Sequence, residues 1–208
     1  MVNINNIAAF YDLDKTIIRQ NLYSIFFNTF IKKSSKILAK FYIPVLFVLS
    51  KLFKNNEFIR HGMIWSLSGY NKKYIQLEWR EYLKANLDTI MIKCIQESIE
   101  NHLSANHKLF ILTNNIDVLV GPLAELLGFT DYRAINVSVD SSENILSTSL
   151  LKKISIDKKM ELFNLSTEYK IDLSKSFGYG DSIEDYEFLR ELTSAYLLNK
   201  DQLMKFNK

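Results

Sequence analysis

A single cysteine, Cys94, denies this chain of 208 residues an internal disulfide framework or a multi-cysteine zinc site, so a reducing, cytoplasmic setting is expected. Cys94 sits in the helix-like run "TIMIKCIQESIENHL" and reads as a structural thiol, not a nucleophile. The three histidines, His61, His102 and His107, lack metal-ligand spacing and read as packing or surface residues. No basic stretch precedes the first apolar residues of "MVNINNIAAFYD", so no export signal is expected. Long hydrophobic runs are also missing. The longest, "FYIPVLFVLSKLF" (Phe41 to Phe53), falls short of the roughly twenty apolar residues a spanning helix needs, and Pro44 and Lys51 interrupt it. With two prolines and six glycines, the chain shows no low-complexity tract, internal repeat or long linker. A net charge of only +3 gives no general case for nucleic-acid binding.

What is present is 48% hydrophobic residues, enough for one globular domain or one domain carrying an insert. Charge is unevenly spread: residues 18–106 hold 13 Lys plus Arg against 6 Asp plus Glu, and the remainder hold 13 against 17. Ile7 to Tyr11 reads as a short buried strand. Residues 18–106 then show i, i+3, i+4 apolar spacing, broken near Pro44, at "KNNE" and at "SLSGYNKK", as in a small helical bundle. Trp65, Tyr70, Tyr74 and Trp79 fall at helical intervals and read as its core rather than a base-stacking platform. From Lys108 strands and helices alternate: strand "KLFILT", helix "VLVGPLAELLGF", strands "YRAINVSVD" and "NILSTSL" joined by "SSEN", helix "DKKMELFNLSTEYK", strand "SFGYG", helix "IEDYEFLREL" and strand "AYLLN". This order implies an α/β fold, a Rossmann-like parallel sheet core with an inserted helical domain. Sites in such sheets form at the carboxyl ends of the strands.

Three of those ends carry polar clusters. "FYDLDKTI" holds Asp12 and Asp14, which a strand would aim to one face, together with Thr16. Two crowded carboxylates persist only with a compensating cation, a shared proton or a catalytic task. "KLFILT" is followed by Asn114 and Asn115 after Thr113, and "SFGYG" by Asp181, Ser182 and Asp185.

On these motifs the chain resembles the haloacid dehalogenase superfamily of phosphohydrolases, in the branch with a helical cap after the first motif that includes phosphoserine phosphatase-like and phosphatidylglycerophosphatase-like enzymes. "DLDKT" is similar to its first motif, "FILTNN" to its second, a lysine of "IDKKMELF" to its third and "GYGDSIEDYEFL" to its fourth. The resemblance implies a core of residues 1–17 and 107–208 and a cap of residues 18–106. It also implies a Mg²⁺-dependent phosphomonoester hydrolase working through an aspartyl-phosphate. Asp12 would be the nucleophile and Asp14 the acid and then base. Asp12, Asp14 through its backbone carbonyl, Asp181 and Asp185 would hold or surround Mg²⁺. Thr113, Asn114 and either Lys158 or Lys159 would bind the phosphate. Helical phase leaves both lysines open and leans to Lys159.

The expected substrate is a small phosphorylated metabolite. The family's phosphoserine phosphatases carry a glycine-rich second motif and a glutamate soon after the first, whereas this chain reads "TNN" and "IIRQNLY", which counts against an amino acid with a free ammonium. The greasy, lysine-flanked segment "KILAKFYIPVLFVLSKLF" raises a lipid-linked or sugar phosphate as the alternative, with peripheral membrane contact through the cap. A non-catalytic binding module is the reading from a different class.

Overall fold

The computed structural model describes residues 6–33, 36–148 and 154–206. Strand β1 (Ala8–Tyr11) is buried along its whole length, as its unbroken apolar run requires. The chain then passes through α1 (Leu22–Thr29), α2 (Ile37–Leu52), α3 (Glu57–Leu67), α4 (Lys72–Ile90) and α5 (Lys93–Ser104). It returns to the sheet as β2 (Lys108–Ile116), followed by α6 (Asp117–Leu126) and β3 (Asp131–Ile135). Helix α7 (Lys158–Glu168) leads to β4 (Phe177–Gly180), and α8 (Tyr186–Leu189) to β5 (Ser194–Asn199) and β6 (Gln202–Lys205).

The sheet order is β3-β2-β1-β4-β5-β6, parallel except for β6, which closes one edge antiparallel to β5. The chain builds outward from β1 in one direction through β2 and β3, then crosses to the other side at β4. That reversal makes the carboxyl end of β1 a topological switch point, where such sheets open a crevice. Alternate strand residues serve opposite faces. Ala9, Tyr11, Leu109 and Ile111 pack with the helices that follow β1, while Ala8, Phe10, Phe110 and Leu112 pack with Leu162 and Leu165 of α7 and Leu189 of α8. Phe10 stacks on Phe110 with ring centroids 5.1 Å apart, and Tyr11 on Tyr179 at 4.5 Å.

Polar residues start the helices. The side chain of Asn21 accepts from the Tyr23 N–H, Asn71 from Tyr74 and Asp157 from Met160. The break expected near Pro44 does not occur: α2 runs through it. Pro44 faces solvent, so water can satisfy the carbonyl one turn back that lost its N–H partner. A break that the pattern did not reveal falls at Met91 and Ile92, between α4 and α5. Of the expected strand pair, "YRAINVSVD" forms β3 only to Ile135. The Asp140 carboxylate folds residues 140–144 into a turn, Val139 bridges Ile145, and part of "NILSTSL" lies outside the described residues. Strand β6 was not expected; it follows a turn whose residues Lys200 and Asp201 both adopt positive φ. Among the described residues, no helix is long and apolar enough to cross a membrane.

Candidate active site

Register brings the three polar clusters together, although the strand expected to end at Thr113 runs on through Asn114 and Asn115 to Ile116, with a register shift against β3 after Leu112. Tyr11 pairs with Ile111 on one side and Tyr179 on the other, so Asp12, Thr113 and Asp181 emerge within one or two residues of a common level. The Asp12 N–H still bonds to the Tyr179 carbonyl at 2.9 Å, extending the sheet ladder to the residue that carries the carboxylate. Beyond it the chain turns tightly: the Leu13 carbonyl accepts from Thr16, Ile17 and Ile18, and Lys15 takes a left-handed conformation with φ 60°.

Lys158 organises the centre. Its Nζ lies 2.5 Å from Asp12 Oδ1 and 2.6 Å from Asp185 Oδ1, and all three side chains are buried or nearly so. Asp185 Oδ2 accepts from the N–H groups of Asp181 and Ser182, both at 3.1 Å, and from the Ser182 hydroxyl at 3.0 Å. Asp185 therefore uses both oxygens to fix Lys158 and the turn after β4. Gly180 permits this, because a Cβ there would sit 2.7 Å from Asp185 Cβ. Lys159, the lysine toward which helical phase leaned, points away: its Nζ pairs with Glu191 at 2.7 Å on the surface. Helix α7 begins one residue before, at the Asp157 N-cap, so adjacent lysines point about 100° apart and only the first faces the strands.

Asp14 does not join this cluster through its side chain. Its carboxylate accepts from the Leu22 N–H at 2.8 Å and from Asn21 Nδ2 at 2.7 Å, at the N-terminal turn of α1. Burial pushes the Asp14 carboxyl up, and the Leu22 N–H and the Asn115 amide pull it part of the way back. Thr113 Oγ1 accepts from both Asn115 N and Asn115 Nδ2, which leaves its hydroxyl proton for another acceptor. Asn114 lines the cavity while its side-chain carbonyl accepts from the Ile156 N–H at 2.8 Å, fastening the segment that leads to Lys158. The Thr16 hydroxyl donates to Asp12 Oδ2 at 3.4 Å.

The charges do not balance. Asp12, Asp181 and Asp185 each offer an oxygen within 4.8 Å of the others, and Lys158 is the positive charge seated between two of them. Burial pushes Asp12 up against the opposing Lys158 ammonium, with Asp185 adding to the rise. Burial and then Asp185 carry Asp181 to about 6. Burial alone would lower Lys158, but Asp12 and Asp185 hold it well above the ordinary lysine range. Hard oxygen donors carrying excess negative charge are the chemistry a divalent cation such as Mg²⁺ takes, so this donor set fits one.

Asp12, Asp14, Thr113, Asn114, Lys158 and Asp181 line a cavity of about 210 Å³, with Asp185 buried behind it. Residues that the sequence did not single out also border it: Lys15, Asn21 and Tyr23 near β1, and Asn56 and Arg60 at the start of α3. Arg60 is buried and donates to the Ile154 carbonyl at 3.3 Å. A signal for it existed, since a lone arginine with Met63, Ile64 and Leu67 three, four and seven residues on is a charge on an apolar helix stripe. Asn21 and Asn56 carried no comparable signal, because asparagine is common wherever a helix begins.

A doubly wound sheet with a carboxylate and lysine cluster at its switch point defines an α/β enzyme-type scaffold with its working groups at the strand ends. The match to known sequences is more particular: the chain belongs to the haloacid dehalogenase-like hydrolase family, which it matches over residues 9–190. It is 23% identical over 203 residues to a Streptomyces azureus protein described as "inhibition of morphological differentiation protein", covering 95% of this chain and 73% of that one. A Bordetella pertussis Tohama I protein of unknown function superposes with a TM-score of 0.73 at 15% identity, over 92% of this chain and 89% of that one. Phosphoserine phosphatase from T. onnurineus gives 0.56 at 13% identity, over 94% and 84%. At these identities the structural likenesses establish a shared fold.

Proposed function

We propose that this protein is a phosphomonoester hydrolase in which Asp12 is the nucleophile. The observation that carries the reading is the buried Asp12 carboxylate at the end of β1, held 2.5 Å from the Lys158 ammonium in a cavity shared with the Thr113 hydroxyl and Asp14. Membership of a hydrolase family and a fold shared with a phosphoserine phosphatase support it.

In the first half-reaction an Asp12 carboxylate oxygen attacks phosphorus, the bond from phosphorus to the alcohol oxygen breaks, and Asp14 gives its proton to the departing alkoxide. In the second, water attacks the aspartyl-phosphate, passes a proton to Asp14, and releases orthophosphate and the Asp12 carboxylate. Burial of Asp14 supports the first role, because it raises the fraction that carries a proton near neutral pH. Lys158 and the Thr113 hydroxyl face the equatorial phosphoryl oxygens, where positioned charge and donors supply most of the stabilisation. Asp185 acts through Lys158 by holding its ammonium in place. A Mg²⁺ ion held by Asp12, Asp181 and the Asp14 backbone would neutralise the repulsion between carboxylate and phosphate.

In this reading residues 18–106 form a cap over a core of residues 1–17 and 107–208, and the cap selects the leaving group. Asn21, Tyr23, Asn56 and Arg60 reach the cavity from that segment, a polar and cationic lining suited to a small phosphorylated metabolite that carries a further anionic or hydroxyl group.

Turnover of p-nitrophenyl phosphate tests the proposal. Hydrolysis is expected with Mg²⁺, lost in EDTA and recovered when Mg²⁺ is restored. A folded protein inert toward a broad panel of phosphomonoesters, or one that turns over equally well in EDTA, would overturn it.

A further inference from the structure

Helix α2 has two unlike faces. One packs on the protein: Ala39, Ile43 and Ser50 are buried, and Leu46 seats against Gly62 of α3 so closely that a Cβ there would collide with it. The other face is apolar and bare. Ile37, Leu38, Phe41, Val45, Val48 and Leu52 are each more than half exposed, reaching 71% at Phe41 and 79% at Leu38. At about 100° per residue these six side chains fall within one arc of about 100°, opposite the buried face. Single exposed hydrophobic residues need no explanation; a contiguous arc along a whole helix does.

The charge around this arc identifies what covers it. Between Asp14 and Glu57 the chain has no acidic residue, while Lys32, Lys33, Lys36, Lys40, Lys51 and Lys54 cluster in and around α2. Lys40 and Lys51 flank the arc on its edge, and Lys32, Lys33 and Lys54 are exposed at its ends. A solvent-facing apolar stripe bordered by lysines alone is the pattern of a helix that lies in a membrane interface, its apolar side chains among the acyl chains and its ammonium groups among anionic headgroups. At 16 residues α2 lies on such a surface and does not span it.

We propose that α2 docks this protein onto an anionic lipid surface. The docked helix leads directly into α3, whose start carries Asn56 and Arg60 to the cavity holding Asp12 and Asp14. The proposal concerns binding and does not depend on turnover.

The test is co-sedimentation of the full chain with phosphatidylcholine vesicles, with and without a minority of phosphatidylglycerol. Binding is expected to the anionic vesicles, weakening as salt is raised. Lys40→Glu and Lys51→Glu should each reduce partitioning by about fivefold or more, from the loss of one attracted cation apiece. Phe41→Ser with Val45→Ser should reduce it by at least about tenfold. Phe41, Val45 and Lys51 are exposed, Lys40 is half-buried and none of the four lines the cavity, so near-ultraviolet circular dichroism and p-nitrophenyl phosphate turnover should match the parent, which separates failed docking from a failed catalytic reading. No sedimentation with either vesicle, equal sedimentation with both, or a soluble dimer that Phe41→Ser dissociates while the parent ignores vesicles would each overturn the proposal.

Discussion

The strand ends and the helical segment between β1 and β2 use charge in opposite ways. Near the strand ends Lys158 is buried between Asp12 and Asp185, 2.5 and 2.6 Å from their carboxylates, so opposite charges meet inside the protein. Around α2 the charges have one sign, most of them face water, and they flank an apolar arc. The first arrangement is organised inward, around the carboxylate proposed as the nucleophile. The second is organised outward, toward something that is not part of the chain. Position in the sheet dictates the former, because parallel register leaves the residues after each strand little choice of where to go. Helical phase governs the latter, and phase tells which side chains share a face without telling what lies opposite.

The sharpest way to break this contrast is to remove the proposed reacting groups. Asp12→Asn should lower kcat toward p-nitrophenyl phosphate by at least about 10⁴-fold, as removal of a nucleophile does. Asp14→Asn should lower kcat toward an alkyl phosphate by about 10²- to 10⁴-fold, the range of a lost general acid and base, and by less toward p-nitrophenyl phosphate, whose phenolate leaves without a proton. Chemical denaturation of each variant should show that the fold persists. Comparable residual activity in Asp12→Asn would move the nucleophile elsewhere.

The lysine pair offers the next largest effect and separates buried from solvated charge within one dipeptide. Lys158→Met strands Asp12 and Asp185 together and should destabilise the protein by about 3–5 kcal/mol. Lys159→Met deletes a surface pair with Glu191 and should shift stability by no more than about 0.5 kcal/mol. Urea unfolding read by fluorescence distinguishes the two; equal effects would contradict the placement of Lys158.

A buried histidine extends the comparison to pH. His102 bonds to the Tyr179 hydroxyl at 2.9 Å and to His107 at 2.8 Å, and burial followed by the repulsion of His107 lowers it to about 4. The unfolded chain takes up this proton below about 6.5 and the folded chain only below about 4, so between those values the unfolded state binds more protons. Stability should therefore fall as pH drops through that window, and His102→Gln should flatten that limb of the urea midpoint profile. An unchanged slope would mean that His102 titrates normally. The exposed lysines of α2 should leave the profile untouched.

Arg60 belongs to the helical segment yet lines the cavity, which makes it the residue that blurs the contrast. Arg60→Ala should raise KM by about tenfold or more for a phosphomonoester whose alcohol carries a second anionic group, the loss of one charge-assisted hydrogen bond, while kcat toward p-nitrophenyl phosphate, which has no such group, changes little. Loss of kcat with KM unchanged would place Arg60 with the reacting groups.

The parallel sheet and its helices were legible from periodicity because buried strands such as "AAFY" and "LFIL" admit only apolar residues. The convergence of Asp12, Thr113 and Asp181 followed from strand order. The choice between Lys158 and Lys159 did not, since both rotations of α7 present apolar neighbours and the Asp157 N-cap settles the phase. Continuity through Pro44 was also hidden, because whether proline ends a helix depends on whether its face meets water. Strand β6 escaped notice since "QLMK" is short, half polar and an edge. Arg60 and Asn56 reach the cavity through the packing of helices far along the chain, which local spacing does not encode.

The hold of Asp14 on α1 ties the two regions mechanically. The Leu22 N–H and the Asn21 amide both end on that carboxylate, so the first helix of the segment cannot swing outward without unlatching from it and leaving a half-buried acid stripped of two donors. Any gate over this cavity must therefore hinge beyond residue 22, or else announce its opening at the Leu22 amide, where hydrogen exchange would quicken.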